Sequence, residues 1–351
     1  MADRHPSSTF LAALRELTLA RLREFLREPE AVFWVFGFPV IMTIALGIAF
    51  RSRTDEPVVV GVERVAGAAS VMAALDSAGG FVVRDVPATG VDRALRDGVV
   101  QVVIVPGTPA TYRFDPARAE SQMARLSVDR ALQRAAGRQD VFVAREDAVR
   151  AVGSRYIDWL VPGLLGMNIM GTGMWSTSFA IVTARTRKLL KRFVATPMPR
   201  SAYLLSLVGS RLAFLAGEGG VLLGFAWLAF DVDVHGSLGA LAAVSLLGAL
   251  AFGGLALLVA SRAKTVEGVS GLLNLVMLPM WVFSGVFFAS SNFPEAMQPF
   301  VQALPLTALN DALRGVMNDG DTLAALWREL AVLVAWGGVS FAAALKLFRW
   351  A

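Results

Sequence analysis

Cysteine is absent from this 351-residue chain, and histidine occurs twice, as His5 and His235. The first absence excludes a disulfide framework, a zinc ribbon and a thiol nucleophile; the second leaves too few imidazoles for a metal centre. Charge is scarce too, at 17% of residues against 55% hydrophobic, with a mean hydropathy of +0.57. Ordinary globular domains are about a quarter charged. Three motifs that cradle phosphate or place a hydrolytic group, G-x-x-x-x-G-K-[ST], H-E-x-x-H and G-x-S-x-G, do not occur. The expectation is a chain with no catalytic residue, no metal and no cofactor of its own. A net charge of +5 is read as basic residues on the cytoplasmic side of a membrane protein, so no nucleic-acid partner is expected.

What remains is hydrocarbon-like. Six segments satisfy the roughly 20 apolar residues needed to cross a bilayer, near 31–50, 159–184, 203–230, 236–261, 268–290 and 329–348. In lipid each must be a helix, because every backbone polar group needs an internal partner. The first 30 residues carry Arg15, Glu16, Arg21, Arg23, Glu24, Arg27 and Glu28, so they lack a signal-peptide core and read as an interfacial amphipathic helix before an uncleaved span. Basic residues gather in this segment and in the connection holding Arg185, Arg187, Lys188, Lys191, Arg192 and Arg200, whereas the connection FDVDVHGS holds no Lys or Arg. Both termini are therefore expected in the cytoplasm.

Residues 51–157 then fall outside. PVVVGVE, FVVRDVP and VVQVVIVPG are short and β-branched, and they alternate with the helical patterns ASVMAALDSAGG and TGVDRALRDG; a longer helical pattern runs from Pro116 to Gly137. The expected fold is a polytopic α-helical membrane protein of six transmembrane helices, with a small extracytoplasmic α/β domain between helices 1 and 2. Its divisions are an amphipathic helix at 1–30, a first span at 31–50, the α/β domain at 51–157, and the remaining spans at 158–351.

Three features carry candidate function. The segment around 185–197 reads as a docking helix in which Leu189, Leu190 and Phe193 insert into a partner, Lys188, Lys191 and Arg192 meet acidic groups or lipid phosphates, and Pro197 and Pro199 stop the helix. Glu218, among Gly217, Gly219 and Gly220, is an intramembrane carboxylate, open to a structural role against a polar partner or to proton transport. Gly166, Gly171 and Gly173 offer a surface where a second copy could approach closely.

The blocks MWVFSGVFFASSNFPEAMQPFVQALPLTALNDALRGVMNDG, TRKLLKRFVATPMPR and YIDWLVPGLLGMNIM resemble the membrane subunits of ABC-2 type exporters, in an order of parts that spans nearly the whole chain. The resemblance implies an inner-membrane permease, a homodimer or heterodimer, working with cytoplasmic ABC ATPase subunits that bind the ATP and Mg. It implies that Arg187, Lys188, Leu189, Leu190, Lys191, Arg192, Phe193, Thr196 and Pro197 form the coupling segment. Spans two and five, with Asn168, Met170, Met174, Asn274, Met277 and Phe283, would line the export path, and a re-entrant element would lie near 289–315. The alternatives are a proton-coupled secondary transporter using Glu218 and a membrane sensor with an external ligand-binding domain.

Overall fold

The computed structural model describes residues 6–50, 57–139, 142, 153, 155–186 and 200–347. The chain divides into two compact units, 1–52 with 150–351, and 53–149. In chain order the elements are α1 (Pro6–Leu26), α2 (Pro29–Ala49), β1 (Val58–Glu63), α3 (Ala68–Ala78), β2 (Phe81–Val86), α4 (Val91–Arg96), β3 (Val102–Val105), β4 (Thr111–Phe114) and α5 (Ala119–Ala135). There follow α6 (Tyr156–Thr186), α7 (Arg200–Phe230), α8 (Leu238–Arg262), α9 (Val266–Phe283), α10 (Gln298–Ala303), α11 (Pro305–Arg314) and α12 (Trp327–Leu347).

The smaller unit is a four-stranded sheet of order β2-β1-β3-β4. β1 runs parallel to β2 and β3, and β4 returns antiparallel to β3 with Val102 opposite Phe114. Alternation along β1 sorts its side chains. Val60 and Val62 pack with Leu75, Ile104, Ala124 and Val128 beneath α3 and α5, while Val59 faces Val86, Val91, Val100 and Val103 on the α4 side. Gly61 lies on that second face, where a Cβ would meet Val103 Cγ2 at 2.9 Å.

In the larger unit, α2, α8, α9, α12 and residues Gly209–Phe230 of α7 are long and apolar enough to cross a membrane. α8 and α9 start on hydroxyl caps, Ser237 Oγ accepting from Ala240 N and Thr265 Oγ1 from Gly268 N. At 31 residues α6 is as long as α7, yet it is not among the apolar helices. Gly163, Gly166, Asn168, Gly171, Thr172, Gly173 and Ser176 to Ser178 lower its hydropathy. Seventeen of its residues are buried, so α6 faces protein where its neighbours present apolar surface outward.

Small residues let these helices touch. A Cβ on Gly163 would lie 2.6 Å from Val286 O, and one on Gly254 would lie 2.8 Å from Gly337 O. Gly166, Gly171 and Gly173, expected to receive a second copy, are instead occupied from within the bundle. Asn310 covers Gly166, Met277 approaches Gly171, and Arg211 with Phe252 covers Gly173.

Candidate functional site: a buried polar centre in the helix bundle

Glu218 is 2% exposed on α7. A carboxylate so placed needs partners that replace water. Arg211, two turns earlier on the same helix, brings Nη1 to 3.6 Å from Glu218 Oε1. Reading span three for Glu218 alone passed over this second charge. Thr172 Oγ1 lies 3.0 Å from Glu218 Oε2 and accepts from Arg211 Nη1 at 2.9 Å, while Arg211 Nη2 donates to Ile169 O at 3.1 Å. Gly173 leaves the room, since a Cβ there would sit 3.3 Å from Arg211 Nη2. One turn before Thr172, the buried Asn168 donates from Nδ2 to Val35 O of α2 at 3.0 Å. The polar chain thus joins α2, α6 and α7 around a buried, ion-paired Glu218.

A second buried cation lies in the segment expected to be re-entrant. Arg314 is 5% exposed at the end of α11. Its guanidinium carbon stands 3.4 Å from the centroid of the Trp159 ring, Nη2 donates to Gly285 O, and Nη1 lies 3.4 Å from Asp311 Oδ1. Asn310 donates from Nδ2 to Ser284 O at 2.9 Å. Beyond α11 a π turn, Gly315–Asp319, receives the preceding loop, because His235 N and Gly236 N both donate at 2.9 Å, to Met317 O and Val316 O. Nearby, Arg155 pairs with Asp158 at 2.7 Å and donates to Phe230 O and Asp231 O. The Asp158 partner holds the Arg155 pKa above its ordinary value.

The residues proposed for the path separate into three settings. Asn168, Met170, Met174 and Met277 are buried in the bundle core. Asn274 is exposed on α9, beside the exposed Leu272, Leu275 and Leu278. Phe283 is half-buried in edge contacts with Phe293 and Phe300. Arg187, Lys188, Leu189, Leu190, Lys191, Arg192, Phe193, Thr196 and Pro197, expected to form the coupling segment, lie outside the described residues. Arg185, at the edge of that segment, donates from Nη1 to Ala260 O and Ala263 O, covering carbonyls at the end of α8. No group of three or more metal-capable side chains occurs among the described residues.

The family model described as ABC-2 type transporter matches residues 124–318. That stretch runs from α5 through the central helix, the basic segment and the polar elements around Arg314. The chain belongs to the ABC-2 type transporter family. It is similar to Nodulation protein J of Bradyrhizobium diazoefficiens, 28% identical over 213 residues, covering 57% of this chain and 76% of that protein. A second relative, Nodulation protein J of Rhizobium meliloti, is 28% identical over 208 residues with the same coverage. This ABC-2 family member is a multi-pass membrane protein and a transport permease. The four-stranded sheet, at residues 58–114, precedes the matched region.

Proposed function

We propose that the chain is the permease subunit of an ATP-driven exporter in the cell inner membrane, with six spans, the 51–157 unit outside and both termini in the cytoplasm. Two permease subunits, alike or different, would flank the path, and separate cytoplasmic ABC ATPases would hold ATP and Mg and perform the hydrolysis. The carrying observation is the family match over residues 124–318, which takes in α6 to α11 and the basic segment but not the first span, its interfacial helix, most of the 51–157 unit or the last span. Counting α6 as the sixth span is supported by its 31-residue length, sufficient for about 46 Å of helix. Its low hydropathy suits a helix whose neighbours stand between it and lipid.

In this reading nucleotide-driven closure of the ATPases acts on residues 187–197 and on α1. The cycle requires the ATPases to bind the two permease conformations with different affinity. Leu189, Leu190 and Phe193 would enter a groove on the ATPase, with Lys188, Lys191 and Arg192 at its rim. Asn168, Met170, Met174, Asn274, Met277 and Phe283 remain the proposed path residues. The ion pair and hydrogen bonds of Glu218 favour this reading over proton coupling.

The experiment replaces Leu189, Leu190 and Phe193 together with alanine while keeping every basic residue. Full burial of such side chains is worth about 1.5–3 kcal/mol each. The variant is expected to insert with unchanged sidedness, since orientation follows Lys and Arg, and to lose ATPase association or stimulation. Normal association with normal stimulation would overturn the coupling assignment.

A further inference from the structure

A proline inside a helix leaves one carbonyl without its usual partner, because it has no N–H to give to the residue four positions earlier. In lipid that carbonyl must be answered by protein. Two such carbonyls in this bundle are answered by asparagine side chains. Pro39 follows Val35 by four residues in α2, and Val35 O accepts from Asn168 Nδ2 at 3.0 Å. Pro162 follows Asp158 by four residues in α6, and Asp158 O accepts from Asn318 Nδ2 at 3.0 Å.

Each joint also involves a π turn. Phe33–Gly37, closed by Phe38 N–H on Phe33 O, contains the acceptor Val35; Gly315–Asp319, closed by Gly320 N–H on Gly315 O, contains the donor Asn318. Wide turns of this kind depart from the regular four-residue ladder, and they concentrate at functional sites in helices. α6 takes part in both joints. It supplies the amide to one and the proline to the other, Asn168 standing ten positions after Asp158 along the helix.

We propose that Asn168 and Asn318 are positioning residues that lock two proline joints, each amide standing in for the N–H that proline removes, and that the permease cycle opens these locks. An open lock leaves a carbonyl and an amide unpaired in a buried setting, so each joint stays closed until force reaches it. α2 follows α1 in the chain, and α6 leads into residues 187–197, so the joints lie in the two helices adjoining the proposed ATPase contacts. The opening rests on the permease reading; the locking does not.

The test is a pair of double-mutant squares on the full chain in lipid nanodiscs. Asn168→Leu keeps the branching and the number of heavy atoms and removes the donor, and its apparent unfolding midpoint is expected to fall by roughly 2–6 °C. Pro39→Ala restores the backbone N–H, so in that background Asn168→Leu is expected to cost nothing. Pro162→Ala and Asn318→Leu should behave in the same way. Equal losses in both backgrounds would overturn the locks, because an asparagine that merely fills space is indifferent to the proline. If Asn168→Leu yields no folded protein, recovery in the Pro39→Ala background is expected, and its failure overturns the assignment.

The opening is read separately, on permease assembled with its ATPase and spin-labelled through cysteines introduced at Ala20 and Leu250, both exposed. MgATP with vanadate is expected to change the interlabel distance in the parent and not in Pro39→Ala/Asn168→Leu. The same change in both would overturn the opening requirement. A parent assembly that binds nucleotide without any change would count against the permease reading itself.

Discussion

Gly253 and Gly254 are neighbours on α8 with opposite surroundings. A Cβ on Gly253 would meet nothing within 4 Å, whereas one on Gly254 would lie 2.8 Å from Gly337 O and 3.5 Å from Gly337 Cα on α12. Alanine at either position gains the same helix propensity, about 1 kcal/mol in aqueous hosts, so comparing the two cancels that gain. The remainder is overpacking against backbone. Main chain cannot swing aside as a side chain does, so α8 and α12 must separate by roughly half an ångström or more to recover ordinary contact near 3.5 Å. Gly337 is equally confined, a Cβ there falling 3.2 Å from Ala251 Cα, so the separation loosens both sides of the contact. Overpacking of this kind costs about 1–3 kcal/mol. Gly254→Ala should therefore melt about 2–8 °C below Gly253→Ala, measured by thermal unfolding of the full chain in identical nanodiscs. Coincident midpoints would refute the reasoning and mean that α8 and α12 have slack that the structure does not display.

Three further outcomes are expected. Glu218→Ala should destabilise the protein more than Glu218→Leu combined with Arg211→Met, because removing one member of a buried pair strands the other charge, at about 3–5 kcal/mol when fully enclosed and less for the 21% exposed Arg211; equal melting losses would show that the pair is not coupled. Tyr112, 3.1 Å from Asp129 Oδ1, has its pKa pushed up to about 12 by burial first and by that hydrogen bond second. The folded state then holds the phenolic proton more tightly than the unfolded chain, whose tyrosine titrates near 10. The resulting stability is fully present below about pH 10 and is lost as pH rises through 12, so Tyr112→Phe should remove this decline, and identical pH slopes for the two proteins would contradict the assignment. Finally, cysteines at the exposed positions Ser70 and Asp233 should react with an impermeant maleimide from outside, and one at Lys264 only after permeabilisation; external reaction at Lys264 would reverse the proposed orientation.

The apolar helices were legible because lipid imposes length and composition together, and α2, α8, α9 and α12 begin and end within a few residues of the expected spans, except that α9 stops at Phe283. The parallel strands were legible for a similar reason: Val58 to Val62 and Val102 to Val105 are dense in β-branched residues. β4 was missed. Its sequence is the four residues TYRF, set just after Pro109, which is too short for alternation to stand out. Arg211 escaped because averaging over a long apolar stretch hides a single charge, although its seven-residue spacing from Glu218 was a usable signal of a shared helix face. Arg314 shows another limit. Loop charges counted for orientation carry no mark that separates a solvated guanidinium from one stacked on Trp159. Glycine spacing in α6 likewise marked close approach, but where a second copy was expected the approaching side chains are Asn310, Met277, Arg211 and Phe252 of the same chain.

The polarity of α6 has a consequence for how the chain is made. A segment with Asn168, Thr172, Ser176, Thr177 and Ser178 along one helix gains less by entering hydrocarbon than α2 or α8 does, and Asp158 and Arg155 stand at its start. Many of its burying partners, among them Phe252, Met277, Leu309 and Leu313, lie 70 to 160 residues downstream. If α6 is the sixth span, it would have to be retained beside the insertion machinery, or be held at the membrane by α2, until α8, α9 and α11 emerge from the ribosome. Synthesis of this bundle is then an assembly around a late-secured centre, and shortening the chain before α11 should leave α6 the first helix to be lost from the bilayer.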